Sequence, residues 1–178
     1  MTDFKAIKGF TVQSIATDPV PSAAGSWASG GNMNTARYAL EGAGTQTAGL
    51  AFGGDSGSNT GITESYNGSS WSEVADLNTA RGFFAGCGLQ TAALAFGGSE
   101  TINRNETELW NGSGWTEVNN LNTARRQNAG LGISTAALSI GGYGTALLAF
   151  NESWDGTSWT EVADLNTARN GATGIGTQ

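Results

Sequence analysis

Apolar residues in this chain come in short runs that glycine repeatedly stops. Thr47–Phe52 runs into Gly53-Gly54, and Ala92-Ala93-Leu94-Ala95-Phe96 runs into Gly97-Gly98. Short apolar runs bounded by turn residues read as buried strands. Helix is disfavoured because glycine and β-branched residues interrupt every window. Between Arg37 and Leu77 the pattern predicts four strands. The first lies near Tyr38–Gly42 and ends at the turn Gly44-Thr45-Gln46. The second is Thr47–Phe52, the third lies near Ile62–Tyr66, and the fourth is Trp71–Val74. The turn Asn67-Gly68-Ser69-Ser70 joins the last two. Asn-Gly is a hairpin signal because both residues tolerate positive φ. It returns as Asn111-Gly112 and, with aspartate, as Asp155-Gly156.

The whole pattern repeats. Leu77-Asn78-Thr79-Ala80-Arg81 recurs as Leu121–Arg125 and Leu165–Arg169, with an earlier copy at Met33–Arg37. Arg37, Arg81, Arg125 and Arg169 are each 44 residues apart, as are Trp27, Trp71, Trp115 and Trp159. A fixed period in this range marks a repeat architecture. Four short antiparallel strands per unit describe the blade of a β-propeller. The expected fold is therefore all-β, built of four-stranded blades in a ring that this chain leaves incomplete. Tyr66 and Trp71, Trp110 and Trp115, and Trp154 and Trp159 flank the last hairpin of each blade. Rings of that size fill gaps between blades, so Trp71, Trp115 and Trp159 are expected in equivalent, largely buried places. Glu64, Glu108 and Glu152 are equivalent too, and are expected to pair with the repeated arginines or with backbone groups.

Residues 1–24 stand outside the repeat. Phe10–Ala16 alternates loosely, and Asp18-Pro19-Val20-Pro21 reads as a stiff extended joint. The segment suits an attachment arm and linker, or a leader. Residues 25–178 hold three full blades with partial blades at each end. The last partial blade is expected to have a first strand near Asn170–Ile175, then a turn at Gly176-Thr177-Gln178. An unpaired edge of this kind invites pairing. The expectation is that the natural chain continues, or that copies or a partner chain complete the sheet.

Composition narrows the chemistry. The chain has 178 residues with 28 glycines, one cysteine, no histidine and a net charge of −7. That charge argues against nucleic acid and against an anionic membrane surface. No apolar run is long enough to span a bilayer, and no secretory signal is visible at Met1. Without histidine, no Ser-His-Asp or Cys-His catalysis and no usual transition-metal site is expected, and no cofactor is called for. Cys87 lies among small residues in a predicted strand and reads as a buried structural thiol. Paired carboxylates can run a glycosidase. Here Glu64, Glu108 and Glu152, and likewise Glu73, Glu117 and Glu161, recur in every blade, whereas one active site needs one pair. No enzyme activity is expected. The copies differ most in the loop after the glycine pair. Loops on a rigid face commonly carry binding, which makes Asp55, Asn59, Glu100, Arg104, Glu106 and Tyr143 the candidate contact residues.

The unit resembles the kelch-type blade, as in kelch repeats and the galactose oxidase propeller. The matching features are the glycine pair, the aromatic before the third turn, the tryptophan after it, and the arginine opening the next blade. The turn between Tyr66 and Trp71 is shorter than the usual kelch turn, and the copper ligands of galactose oxidase have no counterpart. The wording of the repeats, and the leader Gly9-Phe10-Thr11-Val12-Gln13-Ser14-Ile15-Ala16-Thr17-Asp18-Pro19, are similar to virion proteins of tailed bacteriophages. That resemblance implies a fibre or appendage component located in the virion. Its implied partners are other virion proteins through the amino-terminal arm, a host surface glycan or protein, and further copies of itself. A kelch-type interaction scaffold and a glycan-degrading enzyme are the alternatives.

Overall fold

The computed structural model of the chain describes residues 29–176. The proposed arm at residues 1–24 and Trp27 lie outside them. Among the described residues twelve strands form three four-stranded antiparallel sheets, each a simple meander. The first sheet holds β1 (Glu41–Thr45), β2 (Ala48–Phe52), β3 (Thr63–Tyr66) and β4 (Trp71–Val74). The second holds β5 (Ala85–Leu89), β6 (Ala92–Phe96), β7 (Thr107–Trp110) and β8 (Trp115–Val118). The third holds β9 (Ala129–Ile133), β10 (Ala136–Ile140), β11 (Asn151–Trp154) and β12 (Trp159–Val162). Strand β1 lies beside β5, and β5 beside β9. These are the inner strands of propeller-like blades, and the three sheets do not close into a ring.

The core lies between sheets rather than within them. One cluster joins Leu50 and Phe52 of the first sheet to Ala93, Ala95, Trp110 and Trp115 of the second. The next joins Leu94 and Phe96 of the second to Ala137, Trp154 and Trp159 of the third. Alanines on β6 and β10 let the neighbouring indoles settle against the strand. Trp115 packs on Phe52 at 4.9 Å and Trp159 on Phe96 at 4.8 Å, measured between ring centroids. Each indole N–H then donates across the gap, Trp115 to Thr63 Oγ1 at 3.1 Å and Trp159 to Thr107 Oγ1 at 3.0 Å. Trp71 departs from the expected equivalence. It is only half-buried, and its N–H donates to the Gly31 carbonyl, because no sheet precedes it among the described residues.

The Asn-Thr-Ala-Arg segments staple each blade to the linker before it. Glu108 accepts the backbone N–H of Asn78 at 2.8 Å and of Thr79 at 3.2 Å, and the Arg81 guanidinium at 3.0 Å. Glu64 holds Asn34, Thr35 and Arg37 in the same way, and Glu152 holds Asn122, Thr123 and Arg125. Pairing was expected with the repeated arginines or with backbone groups, and each of the three glutamates has both. Burial pushes the Glu64 carboxyl up, but these N–H donors and Arg37 outweigh it and hold the group below its usual range. The glycine pairs explain themselves at the same place. Gly98 has φ 102° and donates to the Arg125 carbonyl at 2.8 Å, and a Cβ there would meet the Phe84 side chain at 2.6 Å.

The first strand of each blade starts later than its pattern suggests. In the first blade it runs Glu41–Thr45 rather than near Tyr38–Gly42, and the turn falls at Gln46-Thr47. Ala39 explains the shift. It sits in the left-handed region at φ 52°, which breaks the extended backbone. Its carbonyl accepts the Phe83 N–H at 3.1 Å, the Phe83 carbonyl accepts Gln127 at 2.6 Å, and the Gln127 carbonyl accepts Gly171 at 2.9 Å. Phe83 and Gln127 share the conformation, at φ 56° and 54°. Non-glycine residues there cost on the order of 1 kcal/mol each. The hydrogen-bonded staircase that links the blades holds them in it. Residues 170–175 form no strand, although Gly132 donates to the Gly176 carbonyl at 3.2 Å.

Candidate functional site

The loops after the glycine pairs and the residues of the staircase meet at one end of the blades. Between the first and second sheets they enclose a cleft of about 660 Å³. Asp55, Ser58 and Asn59 line it from one loop, and Ser99, Glu100 and Thr101 from the next. Phe83, Arg126 and Gln127 complete it. Three of the six candidates, Asp55, Asn59 and Glu100, are therefore brought together. Arg104, Glu106 and Tyr143 are not part of its lining.

The loops are held firmly. Asp55 exchanges both backbone hydrogen bonds with Tyr38, and its Oδ1 accepts the Gly57 N–H at 2.7 Å. Its carboxylate also pushes the exposed Tyr38 phenol up. The Asn59 amide donates to the Ser99 carbonyl at 2.8 Å, and Asn103 makes the matching bond to Gly144. These two asparagines tie neighbouring loops to each other. Arg104 pairs with both Glu100 and Glu106, so the most charged loop is largely neutralised internally. Tyr143 exchanges backbone hydrogen bonds with Arg126 and carries the Arg126 guanidinium over its ring at 5.2 Å. That stacking aims a cation at the cleft. Among the described residues no three His, Cys, Asp or Glu side chains gather into a metal site.

Phe83, Arg126 and Gln127 were missed in the loop comparison. A signal exists for them: directly after the repeated arginine the blades read Tyr38-Ala39, Gly82-Phe83 and Arg126-Gln127. The residues vary there while the backbone does not.

A second one-off feature sits on the inner strands. Glu41 has alanine at its counterparts Ala85 and Ala129. No side-chain cation faces it among the described residues, and burial pushes its pKa up to about 7, opposed by the Gly42 N–H. Nearby Cys87 is buried, and that burial, with Glu41 adding to it, pushes the thiol up to about 12. The thiol stays protonated. For Glu41 the sign follows from a raised folded-state pKa. Between its ordinary value of 4.5 and about 7, the folded chain holds a proton that the unfolded chain has released, so stability falls as pH rises. Glu41→Gln should therefore be more stable than the parent by about 1–3 kcal/mol near pH 8. The difference should vanish below about pH 4.5. Urea melts at the two pH values check this, and equal midpoints for both proteins at pH 8 would refute it.

No protein-family model matches the sequence, and comparison with curated proteins finds no match.

Proposed function

We propose that the protein is a bacteriophage virion component of the fibre or appendage kind, displaying a kelch-like propeller for adhesion or particle assembly. The observation that carries this reading is the cleft. A frame repeated blade by blade presents loops that differ blade by blade, and the differing residues converge. Its chemistry suits a neutral hydroxylated ligand such as a surface glycan. Phe83 offers an exposed ring for a sugar face, while Gln127, Asp55 and Arg126 offer polar groups around it. The resemblance of the repeats and leader to phage virion proteins supports the same reading. Residues 1–24 would join the other virion proteins.

Immunogold labelling of intact particles with an antibody to this chain is the test. Label on the tail or its appendages is expected. Label confined to infected-cell lysate, with none on particles, would sink the reading. Binding to host cells should drop about tenfold in Phe83→Ala. The protein should also release no reducing sugar from host polysaccharide. Release abolished by a single carboxylate substitution would make it an enzyme instead.

A further inference from the structure

Glu41 and Asn128 are polar at positions where the other blades are apolar, and both line one small pocket. Glu41 corresponds to Ala85 and Ala129 in the repeat, and Asn128 to Leu40 and Phe84. The pocket has a volume of about 230 Å³. Ala39, Glu41, Phe83, Gln127, Asn128 and Gly171 are among its walls, so all three described blades contribute.

The fold accounts for neither polar group. The Glu41 side chain leaves β1 toward β5, since its Cβ lies 3.2 Å from where a Cβ on Gly86 would stand. It is therefore held between the first and second sheets and not on an outer face. Among the described residues only the Gly42 N–H meets its carboxyl. Asn128 is 5 % exposed, and its Nδ2 donates to Ser139 Oγ at 3.0 Å. Its buried Oδ1 has no partner among the described residues. Buried polar atoms without partners cost stability, and apolar residues fill these places in the sister blades. A polar occupant of the pocket offsets that cost.

The pocket adjoins the loop cleft. Phe83 and Gln127 line both cavities, so the exposed Phe83 ring stands in a shared wall. Gln127 Oε1 accepts Asn170 Nδ2 at 2.7 Å. That bond orients the amide and leaves its Nε2 donor for a ligand.

We propose that the site takes a glycan of at least two sugar units, one in the loop cleft and the next, an uncharged one, in the small pocket beyond Phe83. The proposal rests on the glycan-binding reading of the loop cleft. Glu41 binds hydroxyls of the second unit, and the Gln127 amide serves the junction. The pocket is smaller than the roughly 300 Å³ at which sites for drug-sized ligands begin, which suits a single sugar ring. With its pKa pushed up to about 7, the Glu41 carboxyl can donate as well as accept near neutrality, and hydroxyls need both. An acidic sugar in the same place would meet a buried carboxyl with no cation beside it. The second unit is therefore a neutral one.

Titration of the 178-residue chain with monosaccharides and matching disaccharides of glucose, galactose, mannose and N-acetylglucosamine, followed by backbone amide NMR shifts, tests this. At least one disaccharide should bind about tenfold tighter than its monosaccharide, within the range of one net hydrogen bond. The shifts it causes should include Gly42 and Asn128. In Glu41→Ala the gain should vanish. Its circular dichroism should match the parent, because alanine stands at this position in both sister blades. Glu41→Gln keeps a hydrogen-bonding head group and should keep most of the gain. Disaccharides bound no more tightly than their monosaccharides would overturn the proposal and leave the cleft as a site for one sugar. A gain that survives in Glu41→Ala would overturn it too. Failure of every sugar in the panel to bind would overturn both the proposal and the glycan reading on which it rests.

Discussion

Arg81→Ala is expected to lower the unfolding free energy by about 3–5 kcal/mol, the range for stripping one partner from a buried ion pair. Both side chains of the Arg81–Glu108 pair are at most 1 % exposed. Alanine would leave the Glu108 carboxylate buried without a counter-ion. It would also remove the donor to the Glu106 carbonyl at 2.8 Å. Burial lowers the Arg81 pKa and Glu108 opposes that. Many buried pairs can be exchanged for apolar side chains at little cost. This one should not be exchangeable. Glu108 also accepts the N–H groups of Asn78 and Thr79, and an apolar residue would orphan both. The double variant Arg81→Met with Glu108→Leu should therefore remain at least as unstable as Arg81→Ala. A loss under about 1 kcal/mol for Arg81→Ala in urea would show that the pair contributes little.

The spacing of identical words along the chain was enough to expect this pair, because Arg81 and Glu108 recur together with an unchanging step. Strands β2 and β4 were legible for a related reason: glycine pairs and Asn-Gly turns punctuate them. Strand β1 was not. Its start is set by the hydrogen bond from Phe83 to the Ala39 carbonyl, a contact between blades that leaves no mark in local propensity. The same staircase hides part of the cleft. Phe83 and Gln127 adopt a conformation usually given to glycine, and only the neighbouring blades explain why they keep it. Asn59 illustrates the opposite limit. Its loop differs between blades, which suggested ligand contact, yet its amide is occupied by Ser99 of the next loop. Variation led to a surface where Asp55, Asn59 and Glu100 line one cleft, but hydrogen bonding decides which side chains there are free.

Trp159→Ala is expected to cost about 3–5 kcal/mol, the range for deleting a buried aromatic from a core. The indole is 5 % exposed and touches Phe96 and Trp154 at ring separations of 4.8 and 5.4 Å. Its removal would open a void between the second and third sheets. It would also leave Thr107 Oγ1 without the indole donor. Repeat arrays hold together through such neighbour contacts, so the third blade should loosen ahead of the first two. Hydrogen exchange would show this as faster exchange in β9–β12 with β1–β4 little changed. Trp71→Ala supplies the comparison. Trp71 sits at the same position in the repeat but has no preceding sheet to pack on among the described residues. In dilute, monomeric protein its loss should cost less than half as much as the loss of Trp159. Equal losses at the two positions would mean that the indole stabilises its own blade, and that the gap between blades is not where the stability resides.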